Sequence, residues 1–458
     1  MKNHIFLKQT ARLAILLVAL LPAGLLRGQQ TETLTLPDAV ATALGKSPTH
    51  TMAVADTQLA KASVTQASSA FFPHIGFTEN ATLSNDPVYV FGTRLRQGRF
   101  NASDFALNQL NSPSAIGNFM SRLEGKWNVF DSFSSTAQMR QARFAEDASR
   151  QALTRADQVL VYHVLDAYYG WLLAKKQVEL AQQTEKTAEE LAKSSEARVQ
   201  AGTAVDSDAL SAKVNLEMRQ QELIRARSAV EIARTQLETA LGAELAPGQQ
   251  PAEMLEEHSY PSVELEEVEA RALRQRSDLQ ALTLQMNAQQ NGVRAAKSAF
   301  GPRLDVYGSY EADNPSFAGG GNTNWITGAE LRVNLFSREN RAALAQQKAQ
   351  LSRSQAARQS AQDAIRLQVR RAYYEYDAAR QMLDVSRSSI AQSQESLRIT
   401  RNRYESGLTT ITDMLRAEDA ERASRTNYWQ SVYRYVLSYA ALQLASGDLS
   451  PQSPVVTQ

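Results

Sequence analysis

Two stretches far apart in the chain spell the same local plan. RVQAGTAVDSDALSAK begins at Arg198 and RYESGLTTITDMLRAE at Arg403, 205 positions later, with Arg, Gly, Asp, Leu and Ala in step. AYYGW at 167–171 answers AYYEY at 372–376, and Leu237, Ala240 and Gly242 answer Leu442, Ala445 and Gly447, at that same offset. WNVF at 127–130 answers VNLF at 333–336. Phe71-Phe72-Pro73 answers Phe300-Gly301-Pro302, and Ala43-Leu44 answers Ala272-Leu273, both 229 positions apart. One match arises easily by chance between alanine-rich helices; an ordered series of blocks does not. Such self-similarity makes the chain a tandem duplication. The first copy carries about 23 extra residues between Pro73 and Trp127.

Each half reads as helix, strand pair, very long helix, turn and returning helix. Opening helices are expected over 37–71 and 264–300, the first begun by Pro37 and both stopped by Pro73 or Pro302. In NWITGAELRVNLF, Trp325, Thr327, Ala329, Leu331, Val333 and Leu335 alternate with Gly328, Glu330, Arg332 and Asn334. Leu123, Gly125, Trp127 and Val129 alternate in the same way with Arg122, Glu124, Lys126 and Asn128. Period two with apolar residues on one side and charge on the other is a strand pattern. With HIGFTENATL and RLDVYGSY as partners, strands are expected at about 74–85, 119–130, 303–312 and 324–336, the second hairpin closed by FAGGGNTN (317–324).

Long helices are expected over about 134–200 and 338–405, each spanning ~100 Å at ~1.5 Å per residue. Their apolar residues form a narrow stripe, as in Ala361, Ile365, Val369, Ala372, Tyr376, Ala379 and Leu383, which resembles a coiled-coil seam more than a globular face. Return helices are expected over 208–242 and 413–447. The repeats thus occupy 29–242 and 264–447, with a connector at 243–263 and a tail at 448–458. The fold class expected is mainly α with a small β part.

Residues 1–28 read as a secretory signal peptide: Lys2, Lys8 and Arg12 precede the apolar run Leu13–Leu26, which is too short to span a bilayer comfortably. Without it the formal charge falls from +1 to −3, so no nucleic-acid partner is expected. There is no cysteine, which removes disulfides, thiolate metal sites and a lipidated N-terminal cysteine.

Four strands, apolar on one face and charged on the other, suit a sheet whose apolar face meets lipid. An open edge in a bilayer leaves backbone groups unpaired at several kcal/mol each, and membrane barrels need about eight strands or more. Closure would need several chains; three would supply twelve strands. Trp127 and Trp325 suit the interface belt, and Arg122, Glu124, Lys126, Glu330 and Arg332 a wet lumen. A soluble hairpin packed on the helices satisfies the alternation equally well, and a coiled-coil scaffold of the periplasm or cell surface would explain the long helices.

At this point the chain resembles the TolC-like outer-membrane efflux proteins. The resemblance covers nearly the whole mature chain and rests on the duplicated plan, on WNVFDSF and VNLFSRE before the long helices, and on the paired motifs at 198–212 and 403–417. It implies a homotrimer whose twelve-stranded barrel sits in outer-membrane lipid of a Gram-negative-type bacterium and continues as an α-helical tunnel through the periplasm. It also implies docking to a periplasmic adaptor and an inner-membrane pump, and passage of small molecules, with heavy-metal efflux and type I protein secretion as alternatives. Without a lipidated cysteine, anchoring falls to the barrel. The extra residues fall in an extracellular loop, where the stretch NDPVYVFGTRLRQGRFNASDFALNQLNSPSAIGNF suits a lid or a surface loop.

Read physically, Gly202 and Gly407 fill the positive-φ position that ends a helix. Ser207 and Thr412 are expected N-caps, and Asp208 and Asp413 sit in the first turn, where the helix dipole favours negative charge. The resemblance adds that Arg198, Ala201, Gly202, Thr203, Arg403, Ser406, Gly407, Leu408 and Thr409 belong to tips that meet the adaptor. It implies further that Tyr404 hydrogen-bonds Asp208 of the neighbouring hairpin to hold the mouth shut, and that Asp413 faces the lumen. Thr409 stands where the best-known channel has a latching arginine, and Arg416 where it has a second acidic ring. An Asp413–Arg416 pair would partly neutralise this mouth.

No catalytic, cofactor or metal set is expected. His4, His50, His74, His163 and His258 are scattered, and no GxSxG, HExxH or P-loop pattern occurs. The aromatics Tyr168, Tyr169, Trp171, Tyr373, Tyr374 and Tyr376 are expected to pack between helices.

Overall fold

The computed structural model describes residues 33–317 and 319–457. The export signal expected over residues 1–28 lies outside them. The first half runs β1 (Thr33–Leu34), α1 (Leu36–Lys46), α2 (Pro48–Ser68), β2 (His74–Ser84), α3 (Pro87–Arg96), α4 (Leu107–Asn111), β3 (Ile116–Phe130), α5 (Ser134–Gln200) and α6 (Asp206–Leu241). The connector holds β4 (Gln250–Pro251), which pairs with β1 in parallel. The second half runs α7 (Leu265–Gln275), α8 (Ser277–Ser298), β5 (Arg303–Asn314), β6 (Asn322–Arg332), α9 (Arg338–Glu405) and α10 (Ile411–Ser446), and α11 (Pro454–Thr457) closes the tail.

The opening helix expected in each half is in fact two helices, broken at Ser47 and Arg276, whose ψ angles of 131° and 121° are extended. In the first half the cause is Pro48, which disfavours helical geometry in the residue before it. In the second, no proline is present. There Arg276, only 2% exposed, is held by Asp278 at 2.6 Å and donates to the Ala445 carbonyl at 3.3 Å.

Each return helix ends in the break of its own half. Gly242 and Gly447 close α6 and α10 with φ of +68° and +87°. A Cβ on Gly242 would stand 2.8 Å from the Lys46 carbonyl oxygen, and one on Gly447 would stand 3.1 Å from Cγ of Arg276. Around these junctions lies the main core. Val161, Val164, Leu165, Tyr168 and Trp171 of α5 meet Leu237 and Leu241 of α6, and Val369, Tyr376 and Leu383 of α9 meet Val432, Val436 and Tyr439 of α10. The expected stripe from Ile365 to Leu383 is thus a buried face, with Ala361 partly covered. Of the six aromatics, Tyr374 points outward and is 61% exposed.

The four longer strands form one antiparallel sheet in the order β2-β3-β5-β6, which merges the hairpins of both halves. Register places Thr78, Arg122 and Glu311 on one face, together with Glu124, Lys126, Asp305, Glu330 and Arg332. Ile75, Phe77, Leu123, Trp127, Leu331 and Trp325 share the other face and are 44–75% exposed. The alternation has exceptions: Ile326 and Met120 lie on the polar face, and Glu79 lies on the apolar face, where it accepts from Ser121. The last strand is shorter than the expected 324–336: it ends at Arg332, and Leu335 and Phe336 beyond it are exposed. Both edges, β2 and β6, pair on one side only.

The extra residues of the first half are folded. Phe91, Phe100 and Phe105 pack edge to face with centroids 4.9 and 5.1 Å apart, and Asp104, 6% exposed, is paired with Arg94. This segment lies against the polar face of the sheet, at the end away from the long helices.

The two kinds of glycine give a contrast. Gly202 has φ +71° with open space around its missing Cβ, whereas Gly242 meets backbone. Gly202→Ala is expected to cost about 1–2 kcal/mol of strain. Gly242→Ala adds an overpacking cost of about 1–3 kcal/mol. Thermal unfolding of the purified protein checks this; equal midpoints for the two variants would refute the role given to the junction.

Candidate functional site

The long helices reverse at residues 201–205 and 406–410. Both turns end their helix in the same way. Thr203 N–H donates to the Arg198 carbonyl and Gly202 N–H to that of Val199, both at 2.9 Å. Leu408 N–H donates to Arg403 at 2.8 Å and Gly407 N–H to Tyr404 at 3.0 Å. Glycine at C′ is what this pair of bonds requires, and Gly202 and Gly407 share a φ of +71°. Ala201, Gly202, Thr203, Arg403, Ser406, Gly407 and Leu408 are exposed, and Thr409 is half-buried.

The N-caps differ from the expected Ser207 and Thr412. The return helices start earlier, at Asp206 and Ile411, because a single extended residue follows each glycine turn. Val205 occupies the first cap and offers no side-chain bond. Thr410 occupies the second and forms a reciprocal capping box with Asp413. The T-x-x-D pattern was legible in the sequence.

Asp413 is consequently engaged on its own helix. It accepts from Thr409 Oγ1 at 2.9 Å and Thr410 Oγ1 at 2.8 Å, while Arg416 stands 3.9 Å away. The Thr410 hydroxyl, then that of Thr409, holds its carboxyl below the ordinary carboxylate value. It therefore stays charged at neutral pH, and its contribution to the helix start fades only as pH falls below 3.8 and through that depressed value.

Tyr404, on α9, is buried in a small cluster with Ala212, Ile411 and Met414, so it packs on the first hairpin of its own chain. Asp208 lies one helical turn before Ala212, half-buried. The Tyr404 hydroxyl, however, finds no hydrogen-bond partner among the described residues. The Arg198 guanidinium lies over its ring, 5.3 Å from the centroid. Of the paired arginines, Arg198 thus stacks on this ring, while Arg403 is exposed and carries no ion pair among the described residues.

Beyond the tips an ionic cluster joins the halves, unread in the sequence because its members lie 200 positions apart. Arg219 of α6, 6% exposed, donates to Asn215 at 3.1 Å, to Glu222, and across to Asp419 of α10 at 2.6 Å. Arg401 meets Glu418 at 3.0 Å, and burial pushes the Glu418 carboxyl up.

At the other end, the five expected lumen residues share the polar face. Arg122 pairs with Glu311 at 2.8 Å and Arg332 with Glu330 at 2.6 Å; Lys126 stands opposite His74, and Glu124 opposite Gly76. Where this face meets the helices, a cavity of about 580 Å³ is lined by His74, Lys126, Asp131, Arg303, Asp305 and Arg332. Charged side chains of the sheet and of the segment leading into α5 thus share this cavity, beside Ala70, Phe72 and Ala299. Among the described residues no group of His, Asp or Glu is arranged to hold a metal ion.

An asymmetry of the two caps is testable. Thr410→Ala removes a side-chain cap worth about 1 kcal/mol. Amide exchange in the first turn of α10 should quicken accordingly while the start of α6 is unchanged; no difference between the helices would contradict the capping box.

The chain as a whole resembles known proteins. The chain is 24% identical over 341 residues to the alkaline protease secretion protein AprF of Pseudomonas aeruginosa, covering 70% of each chain. It is 28% identical over 291 residues to outer membrane protein OprJ of the same organism, covering 61% of this chain and 59% of that one. Its fold matches the CmeC outer membrane channel of Campylobacter jejuni with a TM-score of 0.77, at 16% identity over 92% of this chain and 88% of that one. The sequence model of the outer membrane efflux proteins matches residues 39–243 and again 269–448. The chain belongs to the outer membrane efflux protein family.

Proposed function

We propose that three copies of this chain close into a twelve-stranded barrel in the outer membrane, continued by a helical tunnel, and serve as the exit duct of an efflux system. The observation that carries this reading is the sheet itself. Its apolar face is exposed, its opposite face is charged, and both of its edges lack a partner. A bilayer tolerates such a sheet only when β6 of one copy pairs with β2 of the next, because unpaired backbone in hydrocarbon costs several kcal/mol per group. No described helix is long and apolar enough to cross a membrane, so the sheet is the element available for the task.

In this arrangement the six helix turns of the trimer form the periplasmic mouth. The exposed residues around Gly202 and Gly407 face a periplasmic adaptor that connects the duct to an inner-membrane pump. The chain supplies a path and no chemistry, and transport energy comes from the pump. Small molecules are the proposed cargo. AprF, by its name, serves protease secretion, which supports protein export as a second reading.

Tyr404 and Asp208 are proposed to latch the mouth. The buried, unpartnered hydroxyl of Tyr404 supports this, since an orphaned polar group is costly and one turn of α6 separates its packing partner Ala212 from the Asp208 carboxylate. The protein should fractionate with the outer membrane and run as a trimer on gels until heated; a soluble monomer would refute the duct. In planar bilayers Tyr404→Phe or Asp208→Ala should raise single-channel current. If neither variant does, the latch is wrong.

A further inference from the structure

We propose that the long β2–β3 connection is an internal constriction of the barrel at its outer end and limits the duct to small solutes. The inference rests on the closed-barrel reading above and goes further by choosing between its cargo classes. Its basis is the face of the sheet on which the segment lies. The sheet side chains that seat it, Asn118, Glu311 and Asn324, all belong to the charged, lumen-side face.

Arg96 donates to Glu311 at 3.1 Å, and Glu311 also holds Arg122. Gln97, 2% exposed, donates to the Gly117 carbonyl and to Asn118 Oδ1, both at 2.9 Å. Asn118 donates onward to Asp313 at 2.7 Å, and Asn324 reaches back to the Arg96 carbonyl at 3.3 Å. Near its start α3 faces Asn80 and Thr82 of β2; after its end, Gly98 lies against Asn322 of β6. The segment thus crosses all four strands on the side that faces the lumen. Asp313 and Asn118 are 0% and 6% exposed beneath it and bonded to each other, so the seat is shielded from water. A loop reaching into the medium would leave those side chains in water.

Dimensions decide the consequence. Twelve strands spaced ~4.8 Å apart and tilted 35–45° enclose a circle roughly 22–26 Å across. A helix of ~10–12 Å diameter lying across the inner wall reaches in by about the radius of that circle. Three copies of α3 therefore fill most of the mouth. Gaps between them pass hydrated small molecules and exclude a folded domain.

The chain has no cysteine, so single cysteines report cleanly. Leu95→Cys places one on α3, and Phe317→Cys places one on the β5–β6 loop, where Phe317 is 81% exposed. Intact cells would be treated with a small polar maleimide and with a polymer-linked maleimide of globular-protein size. Phe317→Cys should react with both. Leu95→Cys should react with the small reagent and, by an order of magnitude or more, more slowly with the polymer. Adding Arg96→Ala and Gln97→Ala, which unseat the segment, should restore polymer labelling at Leu95→Cys. Equal polymer labelling of the two single-cysteine proteins would overturn the constriction. Phe317→Cys that reacts with neither reagent until cells are lysed would overturn the outer-membrane duct, and the constriction with it.

Discussion

Pairing of backbone groups along the edges of one four-stranded sheet is the constraint on which this architecture depends. A sheet with an apolar outer face is stable against lipid, but only if no strand ends in hydrocarbon with free N–H and C=O groups. Four strands cannot close on themselves. The chain is therefore built to be incomplete alone, and its two hairpins act as one arc because β3 and β5, from different halves, pair over their length. Below the sheet, α8 packs between α5 and α9, the long helices of the two halves.

Duplication supplied that plan twice, yet the halves solve shared problems with different residues. Each return helix ends on a positive-φ glycine that fits into a break in its own opening helix. One break comes from Pro48 and the other from Arg276 anchored to Asp278 and the end of α10. At the opposite end the turns share a backbone path, but only the second has a capping box. Asp413 engages its carboxylate there and beside Arg416, so it offers less free negative charge than an unpaired aspartate would. Between the ends, Arg219 ties α6 to α10 through a largely buried guanidinium. Its partners are half-exposed, which makes it a tie sensitive to ionic strength.

Loop placement carries the largest functional consequence. Extra length in a hairpin connection is cheap in entropy, and this one has a small aromatic core and a buried ion pair of its own. It is a folded piece seated on the polar face of the sheet. The two hairpins are thus unequal, and their asymmetry lies at the proposed exit, away from the pump.

Much of this was legible in the residues alone. Period two exposed the strands and their faces, because an antiparallel sheet with one wet side alternates strictly. Long narrow stripes exposed the helices, and matched blocks exposed the repeat. Thr410-x-x-Asp413 is a capping pattern readable in the sequence, and the helix starts from it and not from Thr412. The helix break at Arg276 had no local signal, since a salt bridge and a contact with Gly447 produce it. The ionic cluster around Arg219 and the stacking of Arg198 on Tyr404 join residues some 200 positions apart, which no local pattern can reveal. The direction in which the extra segment folds was equally hidden. Its polar composition suits water on either side of a barrel wall, and only side-chain bonds to Glu311, Asn118 and Asn324 choose the inner side. Sequence by itself determined the repeat, the strand faces and the glycine turns, because these follow from local periodicity and backbone sterics. Tertiary structure decided the break at Arg276, the ties between halves and the seat of the loop, because contacts between distant residues set them.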